Sequence, residues 1–170
     1  MYRDIDLYKE LHKTNKNYGN TGKYYCSFIN EYLVHYPNIK NVLDFGCGKS
    51  TLSQCLDLHI DEYDPAISGK EQISKSKYDL IITTDVLEHL YEDEIPLICQ
   101  EFLSLQPYKM LHFICTIKAK QILPDGSNAH KTIQNGEWWK THIHNFTKYN
   151  INMKEYATFV ILECTSNEHF

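Results

Sequence analysis

The chain has 170 residues, of which 42% are hydrophobic and 23% are charged, and its net charge is -5 at pH 7. This length allows one domain with a substantial core and is short for two ordinary domains. Arg3 is the only arginine, so bidentate phosphate clamps are essentially excluded, and no basic excess is present to bind a polyanion. We therefore expect a single domain over residues 1–170, and the composition argues against a nucleic-acid partner.

The cysteines and the hydropathy pattern bear on the compartment. The six cysteines form no C-x-x-C pair, and several lie in apolar runs where cysteine acts as a small hydrophobe. The N-terminus is polar, and no apolar run approaches the ~20 residues of a membrane span. These features predict a cytoplasmic protein with reduced thiols and no membrane partner. They leave the oligomeric state undetermined.

Residues 1–36 predict an N-terminal helical cap segment. Aromatic and aliphatic side chains from Tyr24 to Leu33 recur at helical spacing and stop before Pro37. Ahead of them, residues 15–23 are polar and contain Tyr18-Gly19 and Thr21-Gly22, which predict a loop.

Residues 41–51 predict a buried strand, a glycine turn and the start of a short helix over 50–56. Val42, Leu43 and Phe45 suit a central strand, and Gly46 and Gly48 suit a sharp turn. The spacing does not fit two phosphate-binding motifs. A P-loop requires glycine at Leu43, and a dinucleotide fingerprint requires glycine at Thr51.

The remaining pattern is D-x-G-x-G, formed by Asp44, Gly46 and Gly48. It resembles the first motif of class I S-adenosylmethionine (SAM)-dependent methyltransferases, with Ser50 at the usual third glycine. The resemblance implies an α/β, Rossmann-like fold with a mostly parallel sheet and SAM as the cofactor. It also implies that Asp44 contacts the SAM ammonium and that backbone N–H groups around Gly46, Cys47 and Gly48, at a helix N-terminus, bind the SAM carboxylate.

The next segment predicts a second strand and a shortened middle. Residues 58–63 predict the strand, and Asp64 follows Asp44 at the ~20-residue offset of an acid that binds ribose hydroxyls in related nucleotide folds. We assign Asp64 to the SAM ribose, with Asp61 as the alternative if the strand ends earlier. Residues 66–77 are too few and too polar for a helix and a strand, so we expect the third strand and its helix to be shortened or missing. No residue is assigned to the adenine.

The second half predicts alternating strands and helices that end in an antiparallel hairpin. The predicted strands are 80–84 and 110–117, the helices are 95–105 and 137–149, and the hairpin joins 151–156 to 158–164. The loop 118–136 is longer than the ~12–15 residues of a plain connector, which indicates a functional role. Its D-G-x-N-A-H order, followed by Trp138 and Trp139, resembles small methyltransferase-like proteins of bacterial and phage genomes.

Candidate catalytic groups follow the strand 80–84. If the D-V-L-E-H turn is helical, Asp85, Glu88 and His89 lie on one face. The spacing resembles the E-x-x-E-H that binds a divalent cation in ubiquinone-pathway O-methyltransferases and in small-RNA 2′-O-methyltransferases. In the small-RNA enzymes a further histidine comes from a loop before a Glu-Trp pair, and the counterparts here are His130 and Glu137-Trp138. The same D-V-L-E-H also resembles methyltransferases that need no metal.

We predict Glu88, His89 and His130 as catalytic groups, with His89 or His130 as the base, and Asp85 as a further SAM contact. We predict no resident metal, and a divalent cation held by Asp85, Glu88, His89 and His130 stays the open alternative.

Several side chains keep two interpretations. The family resemblance makes Tyr18 a lid over the SAM pocket, whereas a packed tyrosine in a solvated loop is the alternative. Gln134 and Trp138 either face the acceptor or lie outside the site, and the two tryptophans are candidates for packing anchors.

The sequence therefore predicts a SAM-dependent methyltransferase that methylates an oxygen or nitrogen of a small-molecule or sugar acceptor. The alternatives are a metal-assisted RNA 2′-O-methyltransferase and a non-catalytic SAM-binding module that needs a partner chain. A nicotinamide oxidoreductase fits least, because Thr51 replaces the third glycine.

Overall fold

The computed structural model describes residues 2–167, which form a six-stranded sheet with helices against both faces. The strands are β1 (Val42–Phe45), β2 (Asp61–Tyr63), β3 (Leu80–Thr84), β4 (Lys109–Cys115), β5 (Asn150–Glu155) and β6 (Phe159–Thr165). The helices are α1 (Ile5–Thr14), α2 (Cys26–His35), α3 (Ile95–Ser104) and α4 (Gly136–Thr147), and 3₁₀ turns span Gly22–Tyr25, Leu87–His89 and Glu92–Glu94.

The sheet order is β2-β1-β3-β4-β6-β5. Strands β1 to β4 are parallel, and β6 runs antiparallel to both β4 and β5. The prediction of a mostly parallel sheet with a closing antiparallel hairpin is confirmed, and the predicted ends of β3, β4, β6, α3 and α4 lie within two residues of those observed.

The central strands are buried on both faces, which explains their nearly continuous apolar sequence. Every residue of β1 and β3 is buried. On one face, Leu43 and Ile81 pack with α3 and α4, and on the other face Val42 and Ile82 pack with α2. Helix α4 begins where the Asn135 side chain accepts a hydrogen bond from the Trp138 N–H.

The shortened middle is confirmed, because no helix or strand lies between Tyr63 and Leu80. Strand β2 is therefore an edge of the sheet. Its Asp61 carboxylate accepts hydrogen bonds from Ser74 and Tyr78 and forms an ion pair with Lys75. The irregular segment thus caps the strand edge that a third strand would otherwise cover.

The predicted helix over 50–56 is wrong, because this segment is a series of turns. Ser50 has a left-handed backbone, with φ of 60°, which a helix does not accommodate. Both Ser50 and Ser53 donate side-chain hydrogen bonds to Glu62 of β2. Hydrogen bonds to β2 therefore stabilise turns over residues 50–56 in place of the predicted helix.

The prediction that the cysteines are reduced is wrong for one pair. Cys26, at the start of α2, forms a disulfide with Cys55, and their Cα atoms are 6.1 Å apart. The other four cysteines are free. The pairing arises because α2 packs against the turns after β1, a proximity that no local spacing reveals. Among residues 2–167, no helix is long and apolar enough to span a membrane.

Candidate active site

A cavity of about 460 Å³ lies at the carboxyl ends of β1, β2, β3 and β4. Its lining includes Gly46, Asp64 and Asp85, which directly follow β1, β2 and β3, and Cys115, the last residue of β4. Ligands of open α/β sheets bind at this edge, and the volume falls in the ~300–1,000 Å³ range of small-molecule sites. The fold therefore brings most of the predicted site residues to one pocket.

The N-terminal segment closes this pocket from outside the sheet. Tyr8 and His12 of α1 line it together with Tyr18. The Gly19 carbonyl accepts the Lys49 N–H at 2.9 Å, and the Lys49 ammonium donates to the carbonyls of Asn15 and Lys16. The loop 15–23 thus lies directly on the glycine turn, in the place predicted for a lid, and Lys49 of the G-K-S-T run holds it there.

The glycine turn requires its two glycines for packing as well as for backbone conformation. Gly46 has φ of 78°, and a Cβ added there would lie 2.4 Å from Val86 Cγ2. Gly48 has φ of 51°, and an added Cβ would lie 2.6 Å from the Gly19 carbonyl oxygen. Such distances exclude a side chain at either position unless the neighbouring segment moves.

The five backbone N–H groups of residues 46–50 all donate hydrogen bonds within the protein. Gly46 and Cys47 donate to the Tyr63 carbonyl, Gly48 to the Asp64 carboxylate, Lys49 to the Gly19 carbonyl and Ser50 to the Cys47 carbonyl. The helix expected after the turn is absent and each of these donors has a partner within the protein, so binding of the SAM carboxylate by Gly46, Cys47 and Gly48 stays a prediction.

Asp64 is buried at the cavity wall and ties two backbone segments together. One oxygen of its carboxylate accepts the Gly48 N–H at 2.9 Å, and the other accepts the Ala66 N–H at 2.8 Å. Each carboxylate oxygen has a second lone pair, so Asp64 keeps capacity to accept hydroxyl groups of a ligand.

Asp44 lies beneath the turn and is not among the cavity-lining residues. Its Oδ1 is buried without a hydrogen-bond partner in the part of the chain that the structure describes. Burial, followed by the nearby carboxylates of Glu62 and Asp64, raises the pKa of Asp44 to about 8. Its predicted contact with the ammonium stays a prediction.

The end of β3 presents Asp85 and His89 to the cavity. Asp85 has a left-handed backbone, with φ of 54°, and its carboxylate accepts a hydrogen bond from the Tyr25 hydroxyl. Burial raises the pKa of Asp85. The following turn is a single 3₁₀ turn, so Asp85, Glu88 and His89 do not share the face of a regular α-helix.

Two histidine rings meet at the cavity wall. His89 and His130 lie edge to face with ring centroids 4.9 Å apart. Each ring pairs its Nδ1 with a backbone carbonyl, His89 with Ala129 at 2.8 Å and His130 with Ile117 at 2.7 Å. Because a carbonyl only accepts, Nδ1 donates in both rings and Nε2 is left as an acceptor in the neutral form. Burial lowers the pKa of both imidazoles, that of His89 to about 3.

Glu88 is fully buried and lies behind the cavity wall rather than on it. One carboxylate oxygen accepts the Cys115 N–H at 2.8 Å, and Oε2 has no hydrogen-bond partner among residues 2–167. Burial raises the pKa of Glu88 well above its ordinary value.

Ligand atoms of Glu88, Cys115 and His130 lie within 4.8 Å of one another, whereas Asp85 and His89 do not belong to this group. Of the four residues in the alternative metal site, the structure therefore groups only Glu88 and His130. It adds the Cys115 thiol, which the sequence analysis did not consider.

Other candidate residues lie outside the cavity. Trp139 is fully buried in the core, and Trp138 stacks on His142 with ring centroids 3.6 Å apart. Gln134 donates to Glu92. Neither Gln134 nor Trp138 lines the cavity, so neither faces it in this structure.

The sequence analysis missed Tyr8 and His12, because it did not separate α1 from the cap segment. The signal for α1 was the pair Leu7 and Leu11, four residues apart, of which Leu11 packs against Leu123 and Ala129 of the long loop.

Comparison with families and curated proteins found no match to any family model or to any curated protein. Solved structures do share the fold. One is DhpI in a complex with SAM, with a TM-score of 0.68, 12% identity, and 96% of each chain covered. Another is magnesium protoporphyrin IX methyltransferase from Synechocystis PCC 6803 with bound SAM, with a TM-score of 0.64, 17% identity, and 97% of this chain and 98% of that one covered.

A third is the 1,6-didemethyltoxoflavin-N1-methyltransferase of Burkholderia thailandensis with bound S-adenosylhomocysteine (SAH). Its TM-score is 0.64 at 9% identity, and the match covers 96% of this chain and 87% of that one. At these identities the similarity concerns the fold. The chain has the Rossmann-like fold of SAM-dependent methyltransferases, as the sequence motif predicted.

Proposed function

We propose that the protein is a SAM-dependent methyltransferase that transfers a methyl group to an oxygen or nitrogen of a small-molecule acceptor. The observation that carries the proposal is the cavity at the carboxyl ends of the strands, where Asp64 and the glycine turn meet Asp85, His89 and His130. Proteins of the same fold were solved with SAM or SAH at high coverage of both chains.

The residues present fit SAM. Asp64 is held by the Gly48 and Ala66 N–H groups and retains lone pairs for the ribose hydroxyls. Asp44 has no partner at Oδ1 among the described residues but does not line the cavity, so its contact with the SAM ammonium stays a prediction. Bound SAM supplies an activated methyl group on its sulfonium.

The histidines suit the acceptor side of the reaction. Catalysis of methyl transfer requires alignment of the acceptor atom with the methyl group and removal of one proton. The Nε2 atoms of His89 and His130 are hydrogen-bond acceptors, so either ring suits the orientation of an O–H or N–H group. Because burial lowers the pKa of His89 to about 3, we assign removal of the proton to His130. Tyr8 and Tyr18 restrict the entry of water from the N-terminal side.

A small acceptor fits better than RNA. Arg3, the only arginine, is paired with Asp93 at 2.6 Å, which leaves no bidentate phosphate clamp. Two proteins of the same fold are named for small acceptors, 1,6-didemethyltoxoflavin and magnesium protoporphyrin IX. A metal-assisted reaction is the second candidate, and the proximity of Glu88, Cys115 and His130 favours it.

Calorimetric titration of SAM and SAH tests the cofactor. Wild type should bind both, and Asp64→Asn, which keeps one side-chain acceptor for the turn amides, should weaken binding at least ~10-fold by losing a charge-assisted hydrogen bond. Asp57→Asn is the matched control, because Asp57 is exposed and lies outside the cavity. Absence of binding by wild type would refute the proposal.

Transfer of an isotopically labelled methyl group to pools of hydroxyl and amine acceptors tests the reaction. His89→Ala or His130→Ala should lower turnover while SAM still binds. A variant that loses turnover and SAM affinity to the same extent would show that the replaced histidine is not the base. Repeating the assay with Mg²⁺, Mn²⁺ or Zn²⁺ tests the metal-assisted alternative. Binding without transfer to any acceptor would favour a SAM-binding module instead.

A further inference from the structure

His12 is the subject of a further inference, which rests on the proposed function. If SAM binds in the cavity, its methionine carboxylate requires hydrogen-bond donors. The five N–H groups of the turn 46–50 are all occupied within the protein. Lys49 does not line the cavity, and its ammonium uses two of its three N–H groups on the Asn15 and Lys16 carbonyls. The turn therefore offers this carboxylate no unpaired N–H donor.

His12 has the position and the free capacity for this role. It lines the cavity from α1, next to Tyr18, with ring centroids 4.7 Å apart. A Cβ added at Gly19 would lie 2.6 Å from His12 Cε1 and 3.4 Å from Gly48 Cα, which sets His12 at the turn end of the cavity. Its Nδ1 is shielded from solvent and has no hydrogen-bond partner among residues 2–167.

The His12 ring packs directly against Gly19 of the loop 15–23. Gly19 has φ of 76°, and a Cβ added there would lie 2.6 Å from His12 Cε1 and 3.2 Å from His12 Nδ1. Only glycine leaves room for the imidazole at this point. Because Nδ1 faces the loop without an acceptor, the tautomer with hydrogen on Nε2 avoids burying an unpaired N–H, and it leaves Nε2–H as the donor.

We propose that His12 of α1, rather than the glycine turn, binds the methionine carboxylate of SAM and SAH. Burial lowers the pKa of His12, so the imidazole is neutral in the free protein at pH 7 and has one N–H donor. A bound carboxylate then replaces water as its partner. The cap helix thereby contributes directly to cofactor recognition and joins cofactor binding to closure of the N-terminal segment.

The experiment compares the binding of SAH with that of its decarboxylated analogue, which keeps the amine. In wild type the analogue should bind roughly 10- to 100-fold more weakly, the difference expected for one charge-assisted hydrogen bond. In His12→Ala this ratio should fall close to one, because SAH affinity drops while analogue affinity does not. His12→Gln, which retains a side-chain N–H donor, should recover part of the ratio.

Two further variants separate the role of His12 from general damage. Gly19→Ala should displace the ring and lower the ratio, whereas Gly69→Ala, at φ of 86° with nothing within 4 Å, should leave it unchanged. Lys120→Met removes an exposed cation that also lines the cavity, and it should retain the ratio.

Three results would contradict the role of His12. Equal affinity of wild type for the two ligands would overturn the inference, as would an unchanged ratio in His12→Ala or a ratio lost only in Lys120→Met. Each of these leaves the proposed methyltransferase intact, because wild type still binds SAH. Failure of wild type to bind SAH would instead overturn the proposed function and this inference together.

Discussion

Replacement of Gly46 by alanine tests whether the glycine turn is built by packing against the segment after β3. The new Cβ would lie 2.4 Å from Val86 Cγ2 and 3.2 Å from Val86 Cγ1, at a backbone φ of 78°. Two costs therefore arise together, the left-handed backbone and the steric overlap.

The backbone cost and the steric cost add, because they have separate origins. A left-handed conformation costs a non-glycine residue about 1–2 kcal/mol. Overpacking of a methyl group into a filled site costs typically ~1–3 kcal/mol more. Gly46→Ala should therefore reduce the free energy of unfolding by about 2–5 kcal/mol.

Urea unfolding at equilibrium measures this loss, and Gly126→Ala provides the matched control. Gly126 has φ of 85°, and an added Cβ would meet nothing within 4 Å. This control should show only the backbone cost of about 1–2 kcal/mol. The difference between the two variants then isolates the contact with Val86.

A double-mutant cycle with Val86→Ala completes the test. Removal of the two Val86 methyl groups should reduce the cost of Gly46→Ala by about 1–3 kcal/mol, a coupling that contacting residues show. If Gly46→Ala costs no more than Gly126→Ala, or if Val86→Ala leaves its cost unchanged, the reasoning from packing is refuted.

Two more predictions concern Asp44 and the tryptophan pair. The pKa of Asp44 is raised to about 8, so the folded state binds its proton more tightly than the unfolded state, and the stability from this group is lost as pH rises from about 4 to 8. The advantage of Asp44→Asn over wild type should therefore increase between pH 5 and pH 8 in urea unfolding without ligand, and a constant difference would contradict the raised pKa. Trp139 is fully buried whereas its neighbour Trp138 is only partly buried. Trp139→Ala should therefore cost ~3–5 kcal/mol and Trp138→Ala clearly less, and equal losses would contradict the packing role.

Much of the fold was predictable because burial in a parallel sheet leaves a local signature. Strands β1 and β3 are buried on both faces, and their apolar sequences predicted them. The missing third strand was predictable from one segment, since residues 66–77 are too few and too polar for a crossover and a strand.

The site was predictable only in part. The glycine spacing indicated the turn, and strand ends indicated that Asp64, Asp85 and His89 would meet at one edge of the sheet, where they line the cavity. His130 also reaches this cavity, but Glu88 lies behind its wall. The helix predicted after the turn failed because Ser50 and Ser53 bind Glu62 of a neighbouring strand, a contact that competes with local helix formation.

The sequence by itself determined the parallel sheet, the glycine turn and the edge at which the polar groups collect, because periodicity and spacing record which positions are buried. Only the tertiary structure decided which donors and acceptors are already occupied. It used the turn N–H groups internally, left His12 Nδ1 without a partner among residues 2–167, and brought Cys115 beside Glu88 and His130. These outcomes depend on contacts between segments distant in sequence, and no local pattern encodes whether such a partner is present.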